Sequence, residues 1–162
     1  MHLIGNMWFL WIFGNNIEDS MGHARFVVFY LVCGAAAALV QVALGPSSRI
    51  PMVGASGAIS GVMGAYLVLY PRVRVFTLVP IGFFLTSIAL PAWTMLLYWA
   101  AIQFLGGLVG IMAEERGGVA FGAHLGGFVA GLVLIKLFAR PGDVRAHRSH
   151  EWRPRRMIGM PR

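Results

Sequence analysis

Three short clusters hold the side chains most able to do chemistry within otherwise apolar sequence. His2 and Asn6 stand four residues apart, which places them on one face of a helix. Ser56 lies in Gly54-Ala55-Ser56-Gly57, and His124 lies in Ala123-His124-Leu125-Gly126-Gly127. A serine is a weak nucleophile until a base takes its proton, and histidine is the usual base. A third group often orients that histidine. No suitable acid offers itself for the task. Asp19 and Asp143 fall on the wrong side of the apolar segments, and Glu114 and Glu115 sit in a solvated loop before the last of them. The chemistry indicated is that of a Ser–His dyad. The Gly54–Gly57 segment places the serine at the start of a helix, where the first four N–H groups have no internal acceptor and can receive an oxyanion. His2 and Asn6 add side-chain donors, and Gly54 and Gly57 leave room for a substrate backbone.

Each group also has a plain structural reading. A serine in a membrane helix commonly bonds back to its own backbone. His2 and Asn6 suit a wet interface. The pairs Gly57/Gly61 and Gly127/Gly131 are each four apart, a spacing that lets membrane helices approach closely whether or not catalysis follows. His23, His147 and His150 fall in loops or tail on the side away from Ser56. Cys33 is the single cysteine, which excludes an intrachain disulfide and a cysteine metal cluster and leaves a small apolar packing residue. No metal site is expected.

The elements that must position these groups are membrane helices. Hydrophobic residues form 58% of the chain and charged residues 12%, whereas a soluble domain carries about 25% charged residues. A span needs about 20 apolar residues. Phe26–Leu44, Met52–Tyr70, Trp93–Met112 and Val119–Phe138 qualify, and His2–Ile17 is a shorter span rich in Trp and Phe. Val75–Pro91 is apolar but interrupted by Pro80 and Gly82, and reads as an interfacial or re-entrant connector. Five spans leave Arg25, Arg72, Arg74, Lys136 and all the arginines from Arg140 to Arg162 on one side, against Arg49 and Arg116 on the other. The excess of basic residues marks the first side as cytoplasmic. A net charge of +7 placed in loops and a tail points to orientation and anionic lipid rather than to nucleic acid. The division expected is a transmembrane domain over 1–139 and a basic cytoplasmic tail over 140–162, disordered or bound to the membrane surface.

In this arrangement the first, third and fifth spans run inward from the outer face. Ser56 and His124 then both lie roughly 6–8 Å below the outer ends of their helices, and His2 and Asn6 open the first span at a similar depth. Ionisable groups within a span are functional candidates by default. Three spans bringing such groups to one level argue against a small transporter or channel component.

These residues carry a resemblance. His2-Leu3-Ile4-Gly5-Asn6 resembles the H-x-x-x-N motif of rhomboid proteases, Gly54-Ala55-Ser56-Gly57 their G-x-S-G motif, and Ala123-His124 with Gly127 and Gly131 their A-H-x-x-G-x-x-x-G motif. The resemblance runs over about residues 2–138, in family order. It implies an all-α polytopic membrane bundle with five of the usual six transmembrane helices, the first being absent and the start truncated. It implies an intramembrane serine endopeptidase that cuts transmembrane protein substrates near the outer membrane face without a cofactor. Ser56 would be the nucleophile and His124 the base. His2, Asn6 and the Ser56 amide would line the oxyanion hole, with Gly54, Gly57, Gly61, Gly127 and Gly131 packing the helices around it. Some members carry a tyrosine under the histidine ring at the position of Ser60. The alternative is an inactive relative that binds transmembrane clients. The localisation expected is a bacterial plasma membrane, with lipid and membrane-anchored substrates as partners. The loop Ala113–Phe121, with Gly117 and Gly118, is expected to cap the site.

Overall fold

The computed structural model describes residues 2–47, 54–81, 84–112 and 121–148. The elements run α1 (His2–Met21), α2 (His23–Leu44), α3 (Ser56–Leu69), β1 (Arg74–Ile81), β2 (Phe84–Pro91), α4 (Ala92–Met112), α5 (Phe121–Phe138) and α6 (Pro141–Arg148). Helices α2, α4 and α5 are long and apolar enough to cross a membrane. The expected five spans meet two exceptions. Helix α3 has 14 residues, short of a full span, and α1 carries Asn15, Asn16, Glu18 and Asp19 in its second half.

Helix α3 is the inner helix, and its sequence explains why. It packs against α5, α2, α1 and α4, and nearly every residue from Gly57 to Leu69 is buried. Small residues on two neighbours allow that approach. Gly57 faces Ala37 and the Ala123 carbonyl, and Gly61 faces Cys33 and the Gly127 carbonyl. The contact is reciprocal, since a Cβ on Gly127 would collide with the Gly57 carbonyl and one on Gly131 with the Gly61 carbonyl. Lipid supplies no hydrophobic force between helices, so close backbone packing of this kind carries much of their association. Gly127→Ala is therefore expected to cost about 1–3 kcal/mol of stability through overpacking. Gly142→Ala, whose Cβ would meet nothing within 4 Å, is the control that should not lower stability. Unfolding midpoints in detergent micelles measure both.

On the far side of α3, Phe13 of α1 packs edge-on against Tyr66 with ring centroids 4.9 Å apart. The Asn16 amide donates to the Tyr66 hydroxyl at 3.0 Å, so these two polar groups satisfy each other inside the bundle. Gly22 separates α1 from α2 with a φ of 84°, a conformation that favours glycine. The turn is tied to the end of α5. The Arg140 N–H donates to the Ser20 carbonyl at 2.8 Å, and the Arg25 guanidinium donates to the Phe138 carbonyl at 3.2 Å.

The bundle is helical as expected, except in the connector. Residues 74–91 form a two-stranded antiparallel ribbon, pairing Arg74 with Pro91 and Ile81 with Phe84. The segment is rich in Val, Thr, Ile and Phe, which favour extended backbone. Proline cannot donate to a strand ladder, but a strand with one neighbour leaves half of its N–H groups unpaired in any case, so Pro80 is tolerated.

The first part of the expected tail is helical. Residues 141–148 form α6, with Pro141 at the first helical position, Asp143 in the first turn and Val144 buried against the bundle. Residues 149–162 lie outside the described residues, as do 113–120 of the expected cap loop.

Candidate active site

Helix α3 begins at Ser56 itself. Gly54 has a φ of 124°, which L side chains rarely adopt, and Ala55 follows in a turn conformation with φ −80° and ψ 0°. The Ile59 N–H then donates to the Ala55 carbonyl at 3.0 Å and opens the helix. Ser56 is thus the first helical residue rather than a turn below the helix end, and its own N–H belongs to the set without an intrahelical acceptor.

The contact between α3 and α5 brings His124 to it. His124 lies one turn into α5 and is 9% exposed. Its Nε2 is 2.8 Å from Ser56 Oγ, a hydrogen bond between residues 68 apart in sequence. Gly57 and Ala123, the chain neighbours of the two side chains, touch through the Ala123 carbonyl, so the same close packing that seats the helices sets this distance.

Helix α1 completes the group. A Cβ placed on Gly54 would lie 2.7 Å from His2 Nε2 and 3.8 Å from Asn6 Nδ2. Both nitrogens therefore border the backbone just before Ser56, in space that only a glycine leaves open. His2 is exposed and Asn6 half-buried. The N-terminal ends of α1, α3 and α5 thus gather around Ser56.

Two contributors were not read from the sequence, and both come from α4. Gln103 Oε1 lies 2.7 Å from His124 Nδ1, and the Trp99 ring lies beside the His124 ring, tilted by 42° with centroids 5.9 Å apart. Trp99 also packs on Phe128 of α5. The available signal was one amide in an otherwise apolar span, with a tryptophan four residues before it on the same face. A second glutamine contact steadies α5, where Gln41 Oε1 accepts the Ala123 N–H at 3.0 Å. Ser60, where some rhomboids have tyrosine, turns back to donate to the Ser56 carbonyl at 2.7 Å. Among the described residues no group of three or more His, Cys, Asp or Glu side chains is placed to hold a metal ion.

The arrangement can move a proton from a hydroxyl to an imidazole beside a set of N–H donors, in a partly buried setting that strengthens such dipoles relative to water. Comparison with known proteins follows the same line. The family model described as the Rhomboid domain matches residues 1–141. Rhomboid protease GlpG of Haemophilus influenzae is 31% identical over 136 residues, which is 82% of this chain and 60% of that protein. Rhomboid protein 1, mitochondrial, of Saccharomyces cerevisiae is 29% identical over 136 residues, covering 82% of this chain and 36% of that protein. Presenilin-associated rhomboid-like protein, mitochondrial, of Homo sapiens is 33% identical over 147 residues, covering 83% of this chain and 33% of that protein. The chain thus spans about a third of the length of the mitochondrial relatives and 60% of the bacterial one. No solved structure matches it.

Proposed function

Because this chain belongs to the rhomboid family, we propose that it is an intramembrane serine endopeptidase acting on transmembrane protein substrates near the outer membrane face. The observation that carries the reading is the 2.8 Å hydrogen bond from Ser56 Oγ to His124 Nε2. Ser56 attacks the scissile carbonyl while its proton passes to His124 Nε2. The carbonyl oxygen becomes an oxyanion, received by the Ser56 N–H and by the His2 and Asn6 side chains. Collapse of this intermediate breaks the C–N bond, and His124 returns the proton to the leaving amine. Water, deprotonated by His124, then hydrolyses the acyl-serine and restores the free hydroxyl. No cofactor takes part.

The proposal extends to orientation. Arg25, Arg140 and Arg145 lie at the end of the bundle away from Ser56, and that basic end is assigned to the cytoplasmic side, or to its equivalent, the matrix, in a mitochondrion. Several relatives are mitochondrial by name and one is bacterial, so a bacterial plasma membrane gains no special support from them.

Reconstitution in proteoliposomes with a transmembrane reporter tests the reading. The wild-type chain is expected to cut the reporter and to be labelled at Ser56 by a fluorophosphonate probe, and Ser56→Ala is expected to do neither. A folded wild-type protein that binds the reporter without cutting it would favour the client-binding alternative. Cleavage that survives Ser56→Ala would remove the serine from the mechanism.

A further inference from the structure

The family resemblance supplies two catalytic side chains, but the histidine in this chain has a third contact that the motifs do not contain. For Nε2 to take the Ser56 proton it must carry a lone pair, so the single proton of the neutral imidazole has to reside on Nδ1. A buried N–H requires an acceptor. The Gln103 amide presents its Oε1, an acceptor, 2.7 Å from Nδ1, the orientation in which it takes the Nδ1 proton. The opposite arrangement, with the amide donating to Nδ1, would place the imidazole proton between Nε2 and the serine oxygen and block its transfer.

The geometry points to Gln103 as a positioning residue that holds His124 in the tautomer able to deprotonate Ser56. The inference rests on the serine-protease reading for its kinetic consequence, though not for the tautomer itself. Trp99, one turn earlier on α4, packs beside the same ring at a tilt of 42°. Together they do from α4 what the tyrosine of other members does from α3, where this chain has Ser60 turned toward its own backbone. The amide is neutral, so it orients the imidazole without adding a charge to stabilise the imidazolium. That is a weaker form of the support a carboxylate gives in a triad.

Gln103→Met keeps the side-chain length and removes the acceptor. One hydrogen bond to a developing charge corresponds to about 10- to 100-fold in rate. Gln103→Met is therefore expected to lower kcat on the reporter by that factor with KM nearly unchanged. Gln103→Glu, which restores an acceptor, is expected to recover most of the loss. A role confined to packing would give the opposite order, because Met fits an apolar surrounding better than Glu. Nitrogen NMR of ¹⁵N-histidine-labelled protein reads the tautomer directly. His124 is expected to carry its proton on Nδ1 in the wild type and to divide it between both nitrogens in Gln103→Met. Wild-type kcat in Gln103→Met, an unchanged tautomer, or Glu performing no better than Met would each overturn the assignment. If the wild-type protein cleaves nothing, the protease reading fails, and the NMR comparison still decides whether Gln103 sets the tautomer.

Discussion

His124→Ala is expected to reduce turnover of a transmembrane reporter by about 10⁴- to 10⁶-fold, the range over which removal of the base disables serine hydrolases. The magnitude follows from the 2.8 Å bond to Ser56, because a serine without its base keeps its proton and hardly attacks. The same bond makes the two side chains one unit. The double variant Ser56→Ala/His124→Ala is therefore expected to be no slower than either single variant, since such effects are far from additive. Steady-state cleavage in proteoliposomes measures all three. The helices should stay packed, because the contact between α3 and α5 is made by Gly57, Gly61, Gly127 and Gly131 and not by the imidazole. A modest loss in His124→Ala, below about tenfold, would mean that another group takes the proton.

Asn6→Ala is expected to lower kcat by about 10²- to 10³-fold with little change in KM, as for other side-chain oxyanion donors. The donor acts only when charge appears on the carbonyl oxygen, so its removal should spare ground-state binding. His2 borders the same space at Gly54, but it is exposed whereas Asn6 is half-buried. A donor that exchanges freely with water is less well preorganised, so His2→Ala is expected to cost less than Asn6→Ala. A comparison of kcat and KM for the two variants checks the order.

The parts of this molecule that were legible in the sequence are those set by residue type and spacing. Glycines four apart foretold which helices could meet, and polar residues stranded in apolar runs foretold which of their ends would gather. What escaped was set by neighbours. Val75–Pro91 was recognised as no ordinary span, but its strand pairing depends on a partner that a linear reading does not supply. Met52–Tyr70 reads as a complete span by hydropathy, yet the helix opens only at Ser56, because the backbone at Gly54 takes a left-handed turn that hydropathy does not register. Residues 141–148 are polar and basic, and their helix packs on α1 with Val144 buried, a contact that their composition does not announce. Gln103 was passed over because a neutral amide in a span draws less notice than a histidine, although burying it is costly without a partner.

The shortness of α3 has a consequence for how the chain can vary. Fourteen residues reach about 21 Å, while the hydrocarbon is about 30 Å thick. A helix of that length facing lipid would suffer hydrophobic mismatch. Here α2 and α4, with 22 and 21 residues, present the apolar outer surface, and α3 has almost no lipid boundary to match. Its length is released from the bilayer and answers to register alone. Adding one residue ahead of Gly57 would carry Ser56 about 1.5 Å along the axis and about 100° around it, out of line with the histidine. Adding one residue to the lipid-facing end of α2 would be absorbed by a change in tilt. Tolerance to insertion is therefore lowest in α3, the shortest of α1 to α5 and the one least in contact with lipid.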